Sequence, residues 1–534
     1  MRSLRAAPSA PRVPDRGERL ASLVRRWRDD LLVVAAALIP LALFIVRERQ
    51  IAGGAGFPLD DSWIHLHFAR NLAAGAGFSY NPGVPIAGST APLWTLLLGA
   101  GAVVASASLA MAKVVGIVAT VGAAVVTRRA ALAWAARSDV ALITSIALLW
   151  MGPIVWGALS GMEVSLAALL VATALLAHAH DRPLATAIYV ALAVLARPEA
   201  LLLVPFLAAA RPLTLRRVAV FAVVTTVVMA PAILFSLATA GTPYPATAAA
   251  KVEGGLVGWL GGVREPAALT WIRRPLAFFT EWIVWLATTH WLLPIALVPA
   301  FILAWRRAGR ALGLVVLALI AHPLGMALLA PYRGPAFQEG RYSIHLLPLV
   351  VLTIAVALGS RSRSGPAPLV ADAPVPAAPA APGRAWVSPV AGVVWLAIAV
   401  GSLVPAATRY GWAVQNINAM QVHLGRWVDA RLPKTTRIAV NDIGAIAFFS
   451  RREVIDLMGL VTPEIIPYRR RGETGVMEFV SEACPEYVII FPAWFPRLAS
   501  NTEMLQPIYR VRLERNEVAG AAEMVVYRLL RCAV

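Results

Sequence analysis

The sequence predicts a polytopic α-helical membrane protein of about eleven spans, with a small extracytoplasmic α/β domain at its C-terminal end. Three observations carry this expectation. The chain has 534 residues, of which 59% are hydrophobic and only 14% charged, and its mean hydropathy is +0.70. A soluble domain needs more charge than that on its surface. Apolar runs recur from residue 31 to residue 407 with short arginine clusters between them, and residues 408–534 then turn less apolar and break into short β-prone runs.

Charge comes next, because it sets orientation. The 48 Lys and Arg exceed the 29 Asp and Glu by 19. In a soluble protein that balance would suggest nucleic acid. Here the basic residues sit in pairs between apolar segments, as at Arg128/Arg129, Arg216/Arg217 and Arg306/Arg307. They read as cytoplasmic anchors under the positive-inside rule, with membrane lipid as their surroundings and no nucleic-acid partner.

Residues 1–30 form a basic cytoplasmic N-terminus with eight arginines. They are followed by Leu31–Val46, which lacks a small-residue cleavage site and is expected to be an uncleaved first span. Residues 31–360 form the transmembrane body, whose first outer loop covers 47–111. Further apolar runs lie near 93–110, 112–127, 139–158, 163–178, 185–196, 199–210, 217–239, 283–304, 311–330, 342–359 and 389–407. All the arginine clusters fall on one side if 93–110 only dips into the outer surface. Residues 185–210 must then run out and back, with Arg197-Pro198-Glu199 at the apex. The rival count, with 93–110 crossing and 185–210 as one span, puts Arg128, Arg129 and Arg137 outside and is disfavoured. Each half of the 185–210 pair is about 18 Å of helix, short of a 30 Å core. Its apex should therefore be recessed in a cavity, where broken helices are tolerated.

Residues 361–388 read as a Pro/Ala-rich linker and 389–407 as the last span. In 408–534, strands are expected at Arg437–Asn441, Val454–Met458, Tyr487–Phe491, Tyr509–Leu513 and Met524–Leu530, with a short helix at Ile443–Ser450. Cys484 and Cys532, the only cysteines, have no metal-ligand spacing and could form one disulfide if this domain is extracytoplasmic.

The chemistry concentrates in Phe57–Trp94. Asp60 and Asp61 stand about a dozen residues past the first span, and acids so close to a membrane are costly without a use or a partner. One of them could be the N-cap of the helix that follows. The other is expected to act as a base or to bind a cation. His65 lies one turn beyond Asp61 and is expected to orient it. His65 and His67, two residues apart, do not share a helix face, so they are not expected to form a metal pair. Trp63, Trp94, Tyr244, Trp282, Trp285 and Trp291 read mostly as an interfacial belt, one of them free to stack on a sugar. Asn441 and Asp442 end a strand and form a turn or contact a glycan acceptor.

The segment LDDSWIHLHFARNLAAGAGFSYNPG, followed by GSTAPLW, resembles the first-loop signature of GT-C membrane glycosyltransferases, and most of all the cell-wall arabinofuranosyltransferase branch. More of the chain is similar in order: SGMEVSLAALL at 160–170, LARPEALLL at 195–203, GTPYPATAAAKV at 241–252, GRYSIHLLPLV at 340–350 and VNDIGAIAFFSRREVIDLMGLVTPE at 440–464. Ala246 stands where that pattern usually has Asn. The resemblance implies a polyprenyl-phosphate sugar donor and a glycan or lipid acceptor, meeting on the outer face of a bacterial-type inner membrane with inversion. It assigns Asp60 as general base. Asp61 would bind the acceptor or a divalent cation, magnesium or manganese. Arg197, Lys251 and Arg341 are the outer-face candidates for the phosphate, with Arg70 and Arg333 behind them. Glu163, Glu199, His65 and His345 complete the expected substrate-binding set. The competing expectation, a transporter or flippase of lipid-linked saccharides, is weakened by the lack of an inverted repeat.

Overall fold

The first helix, α1 (Arg16–Ala52), carries the apolar stretch Trp27–Ala52, long enough to cross a membrane. The computed structural model describes residues 16–251, 254–260, 262, 264–329, 333–359 and 387–532. After α1 come two shorter helices, α2 (Asp61–Ala73) and α3 (Pro92–Ala105). The helical body follows with α4 (Leu109–Ala133), α5 (Ser138–Leu149), α6 (Gly152–Leu159), α7 (Val164–Ala179), α8 (Pro183–Ala196), α9 (Val204–Ala209) and α10 (Leu215–Ala240). Short helices α11 (Ala246–Ala250) and α12 (Gly255–Leu260) lead to α13 (Arg274–Thr289), α14 (Leu293–Val316) and α15 (Ala318–Leu329). The turn α16 (Phe337–Gly340) precedes α17 (Leu347–Gly359), and α18 (Val387–Ile417) completes the body.

Among the described residues, five helices are long and apolar enough to cross a membrane, and six if α5 and α6, bent by 60°, form one span. Several of the other expected spans are apolar helices too short for that test, such as α7 and α8. The main core joins α1, α4 to α8, α14, α17 and α18. The span containing α17 is almost wholly enclosed, whereas α10 lies at the periphery, with only Arg217, Phe221 and Ser236 buried. Such exposure suits contact with lipid.

The arginine clusters meet at one end of the bundle. Arg128 and Arg129 pair with Asp29 (3.1 Å) and Asp30 (2.7 Å) of α1. Arg217 pairs with Asp181 at 3.2 Å, and Arg211 donates to the His178 carbonyl at 3.1 Å. Arg310 reaches the Ala209 carbonyl and Arg307 the Val356 carbonyl. The Arg361–Arg384 stretch, and with it nearly all of the expected linker, lies outside the described residues.

Residues 185–210 do turn back on themselves. Helix α8 runs from the basic end to Arg197, where the residue before Pro198 is extended, as steric contact with the proline ring requires. A 3-10 turn at Pro198–Leu203 and then α9 return the chain to the basic end. At 14 residues, α8 rises about 21 Å, so its tip stops inside the bundle.

The last helix runs ten residues past the expected 389–407. Tyr410, Ala413, Val414 and Ile417 keep an apolar face at helical spacing and pack it inward. A π-turn at Asn418–Val422 then leads into α19 (His423–Arg431). The terminal domain is built from β1 (Arg437–Val440), α20 (Gly444–Ser450), β2 (Glu453–Asp456), α21 (Ile466–Arg469), α22 (Glu473–Ala483), β3 (Tyr487–Ile490), α23 (Pro496–Ala499), β4 (Leu505–Arg512) and β5 (Glu523–Leu529). The sheet order is β2-β1-β3-β5-β4; β2, β1 and β3 are parallel, and β5 and β4 are added antiparallel. All five expected strands and the short helix are present. Cys484 and Cys532 are joined, tying the end of α22 to the chain beyond β5.

This domain is not a separate bead. Ile64, Phe68, Tyr80 and Ile86, between α1 and α3, share one core with Ile438, Val440, Ile443 and Ile446.

Candidate active site

Helix α2 places the acid pair, and the terminal domain takes hold of it. Asp60 precedes α2 but does not cap it. Its Oδ2 accepts from the Gly444 backbone N–H at 2.6 Å and its Oδ1 from Ala445 at 2.7 Å. It therefore caps α20, a helix nearly four hundred residues away in sequence. Ten residues further on, in the last turn of α2, Arg70 donates to the Phe448 carbonyl near the other end of α20, at 2.7 Å. An anion at the helix start and a cation at its end both match the helix dipole. Gly444 is required here, because an added Cβ would collide with the Asp60 carbonyl oxygen. Arg70 thus ties α2 to α20 and lines neither of the cavities described below.

Asp60 is only 6% exposed. Burial raises its pKa to about 6, against the pull of the two backbone N–H groups, and the neighbouring Asp61 charge adds to the rise. Asp442 lies against it, held by Gln421 at 2.7 Å, and burial together with the Asp60 charge pushes its carboxyl well above the usual range. Asp61 differs. Its side chain is 31% exposed and its Oδ2 receives Arg341 Nη1 at 2.5 Å. Burial pushes Asp61 up, but Lys251 and Arg341 outweigh it and hold the carboxyl far below the usual range.

Arg341 is aimed by an unusual turn. Gln338, Glu339 and Gly340 all have positive φ, at 49°, 59° and 76°. Two such non-glycine residues in a row are strained and persist only where the surroundings hold them. Trp285 Nε1 donates to the Glu339 carbonyl at 3.1 Å, and Arg409 pairs with the Glu339 side chain at 2.8 Å. The third position must be glycine, since a Cβ there would run into the Trp285 ring.

Two cavities meet at this point. One, of about 610 Å³, lies between the helical body and the terminal domain and is lined by polar groups including Asp60, Asp442, Gln421, Glu339, Arg333 and Arg409. The other, of about 410 Å³, is largely apolar, with Ile64, Met162, Leu201, Leu202, Met326 and Leu329 in its wall. Both are of the size of small-molecule sites. They share Asp61, Lys251, Arg341 and Tyr342.

Behind the apolar cavity lies a buried charge network. Arg197 Nη1 donates to Glu163, Arg197 Nε pairs with Glu199 at 2.9 Å, and the guanidinium sits 4.4 Å from the Tyr342 ring centroid. Two carboxylates neutralise Arg197, which leaves it a weaker phosphate candidate than Arg341 or Lys251. His65 does not orient Asp61 as expected. Its ring sits between Thr95 (3.1 Å) and Glu163 (3.4 Å), because those partners lie on the inner side of α2. His67 bonds the Tyr80 carbonyl at 2.9 Å, and burial lowers its pKa to about 3. His345 lines neither cavity and packs edge-on to His322. Asn441 accepts from the Phe491 N–H and serves the sheet.

The divalent cation expected at Asp60 and Asp61 would meet carboxylates that already have partners. Asp60 already accepts two backbone N–H groups and Asp61 a guanidinium. Among the described residues, no three His, Cys, Asp or Glu side chains are grouped to hold a metal ion. Gln421, Tyr342, Glu517 and Trp494 are wall residues that sequence reasoning did not single out. Tyr342 follows Arg341 directly in the 340–350 motif and could have been read from it. The other three carry no motif.

A family model described as a domain of unknown function (DUF8728) matches residues 414–527. No curated protein matches the sequence. Solved structures do match the fold. ArnT from Cupriavidus metallidurans, bound to undecaprenyl phosphate, superposes with a TM-score of 0.54 at 16% identity, covering 93% of this chain and 97% of that one. The oligosaccharyltransferase of Archaeoglobus fulgidus in its apo form superposes with a TM-score of 0.55 at 13% identity, covering 90% of this chain and 73% of that one. The helical body with its terminal sheet domain thus shares its fold, the GT-C fold, with these two proteins.

Proposed function

We propose that this chain is an integral-membrane, inverting glycosyltransferase. It moves a sugar from a polyprenyl-phosphate donor to a glycan or lipid hydroxyl on the outer face of a bacterial-type inner membrane. One observation carries the reading: an apolar and a polar cavity meet at Asp61, Lys251, Arg341 and Tyr342. A lipid-borne donor needs an apolar cleft ending in cations, and an acceptor hydroxyl needs a wet approach beside a base. Undecaprenyl phosphate bound to ArnT is a ligand of the same chemical class as this donor.

Asp60 is the general base. Two of its four lone-pair sites are taken by backbone N–H groups, which fix its orientation, and it lines the polar cavity. A carboxyl near pKa 6 accepts a proton far better than Asp61, whose ion pair with Arg341 makes it a poor base. Asp60 takes the acceptor proton. The acceptor oxygen bonds to the anomeric carbon from the face opposite the phosphate as the bond from that carbon to the phosphate oxygen breaks. The polyprenyl phosphate leaves with the electron pair, and Arg341 and Lys251 receive its charge. Asp61 keeps Arg341 aimed at the junction.

The same reading has eleven crossings, with the N-terminus inside and the terminal domain outside. It is supported by contacts that alternate along the chain between the basic end and the end bearing Asp60. The disulfide between Cys484 and Cys532 supports an oxidising compartment for the terminal domain.

Turnover of a radiolabelled polyprenyl-phosphate sugar in vesicles tests the function. Asp60→Asn keeps the size of the side chain but removes the base, and is expected to cost about 10²- to 10⁴-fold in rate. Asp61→Asn is expected to raise the donor KM with a smaller loss of rate. Near-wild-type turnover in both variants would remove the acid pair from the mechanism, and no turnover by the wild type would remove the enzyme reading and return attention to a transporter.

A further inference from the structure

Three turns meet at the basic end of the bundle: residues 178–183 between α7 and α8, 209–217 between α9 and α10, and 304–311 in α14. Hydrogen bonds knit them together. His178 Nε2 donates to the Ala311 carbonyl at 2.7 Å, Arg211 to the His178 carbonyl at 3.1 Å, and Arg310 to the Ala209 carbonyl at 3.0 Å. The three turns carry seven arginines and one carboxylate, Asp181, which faces Arg217 at 3.2 Å and Arg211 at 3.8 Å. Arg182, Arg216 and Arg306 are exposed, and none has a side-chain partner among the described residues.

The start of α10 adds a second observation. Arg216 and Arg217 stand in its first turn, which holds no acidic residue. A helix start favours anions and leaves its first N–H groups without partners in the helix. Two cations there have the wrong sign, and Thr214 Oγ1 takes up only the Arg217 N–H. The positive-inside rule explains why arginines gather at this end, but not why a helix start among them lacks a countercharge. An anion beside Arg216 would supply one.

The flank of the patch is apolar. Leu213 and Leu215 are 59% and 88% exposed, and α10 continues from them along the periphery of the bundle. A soluble anion has no use for such a flank, whereas the acyl chains of a lipid would lie along it. We propose that this patch binds the headgroup of an anionic phospholipid from the adjoining leaflet. Its phosphate sits at the start of α10 against Arg216, with Arg182 and Arg306 on the neighbouring turns completing the basic surround. The lipid then fixes the turn between α9 and α10, next to the foot of the out-and-back pair that rises to Arg197. This goes beyond the transferase reading and does not depend on it.

The test uses the full-length protein in a neutral detergent. Native mass spectrometry follows its binding of dioleoyl phosphatidylglycerol and of dioleoyl phosphatidylcholine. Phosphatidylglycerol is expected to bind about tenfold more tightly, and equal binding of the two lipids overturns the proposal. Replacing Arg182, Arg216 and Arg306 together by Gln should erase the preference. Arg216→Gln alone should weaken phosphatidylglycerol about fivefold, and this serves if the triple variant does not fold. Unchanged affinity in Arg216→Gln overturns the site. So does an equal loss when Arg512, Arg528 and Arg531 of the terminal domain are replaced by Gln, since the binding would then follow net charge alone. Displacement of the lipid by inorganic phosphate at equal concentration would mean a site for a free anion and would also overturn it.

Discussion

Two adjacent aspartates with opposite proton affinities divide the chemistry at the candidate site. Asp60 is buried beside the Asp61 charge, which destabilises its charged form more than two backbone N–H groups restore it; Asp61 faces Arg341 and Lys251, so its charged form is favoured. The base must be ionised to act. Activity should therefore be present above, and lost as pH falls through, about 6, with one proton taken up. A kcat/KM profile of the wild type from about one and a half units below that pKa to two units above it checks this, and a flat profile across that window would remove Asp60 from the role. Arg341 belongs to the same scale. Arg341→Ala removes the cation at the cavity junction and leaves the Asp61 charge unpaired. Donor KM should rise at least tenfold with the protein still folded, and unchanged donor saturation would reduce Arg341 to an anchor for α17.

At the scale of elements, the decisive contact is α2 against α20. Asp60 and Arg70 grip the two ends of one short helix, so the base is positioned only while the terminal domain is docked. Gly444→Ala inserts a methyl where the Asp60 carbonyl leaves no room for one, and α20 must shift. Turnover should fall by at least tenfold, and limited proteolysis should cut between the last helix and β1 faster than in the wild type. Arg70→Ala removes one charge-assisted bond to the Phe448 carbonyl, worth about 1.5–3 kcal/mol, and should loosen docking without touching either cavity. If both variants turn over and resist protease like the wild type, the clamp has no catalytic consequence.

Over the whole molecule, the basic clusters gather at one end and the cavities lie at the other. With eleven crossings, reporter fusions after residue 370 and after residue 420 should report opposite sides of the membrane, the second of them outside. The same side for both would mean that the last helix does not cross, and the count of eleven would fail. The recessed break at Arg197 follows the same plan. Its pairing with Glu163 and Glu199 supports Tyr342 from beneath, so the break builds the floor of the apolar cavity.

The membrane class, the basic end, the out-and-back pair at 185–210 and the strands of the terminal domain were all legible in the sequence. Hydrophobic period, arginine position and the steric rule before proline are local, and they act through nearest neighbours in the chain. Asp60, Asp61 and Arg341, which line the polar cavity together, were legible as candidates too, since adjacent acids near a membrane and a cation before a span are costly without a use. What Asp60 touches was not. Its side chain could have capped its own helix, and only the tertiary fold brings Gly444 and Ala445 close enough to take it instead. The partners of Arg70 and His65 were hidden for the same reason. A long polar side chain has many partners within reach, and the winner is set by which distant backbone or carboxylate is buried beside it. Trp494 and Gln421 had no sequence signal at all, because a cavity wall assembled from two domains has no period along the chain.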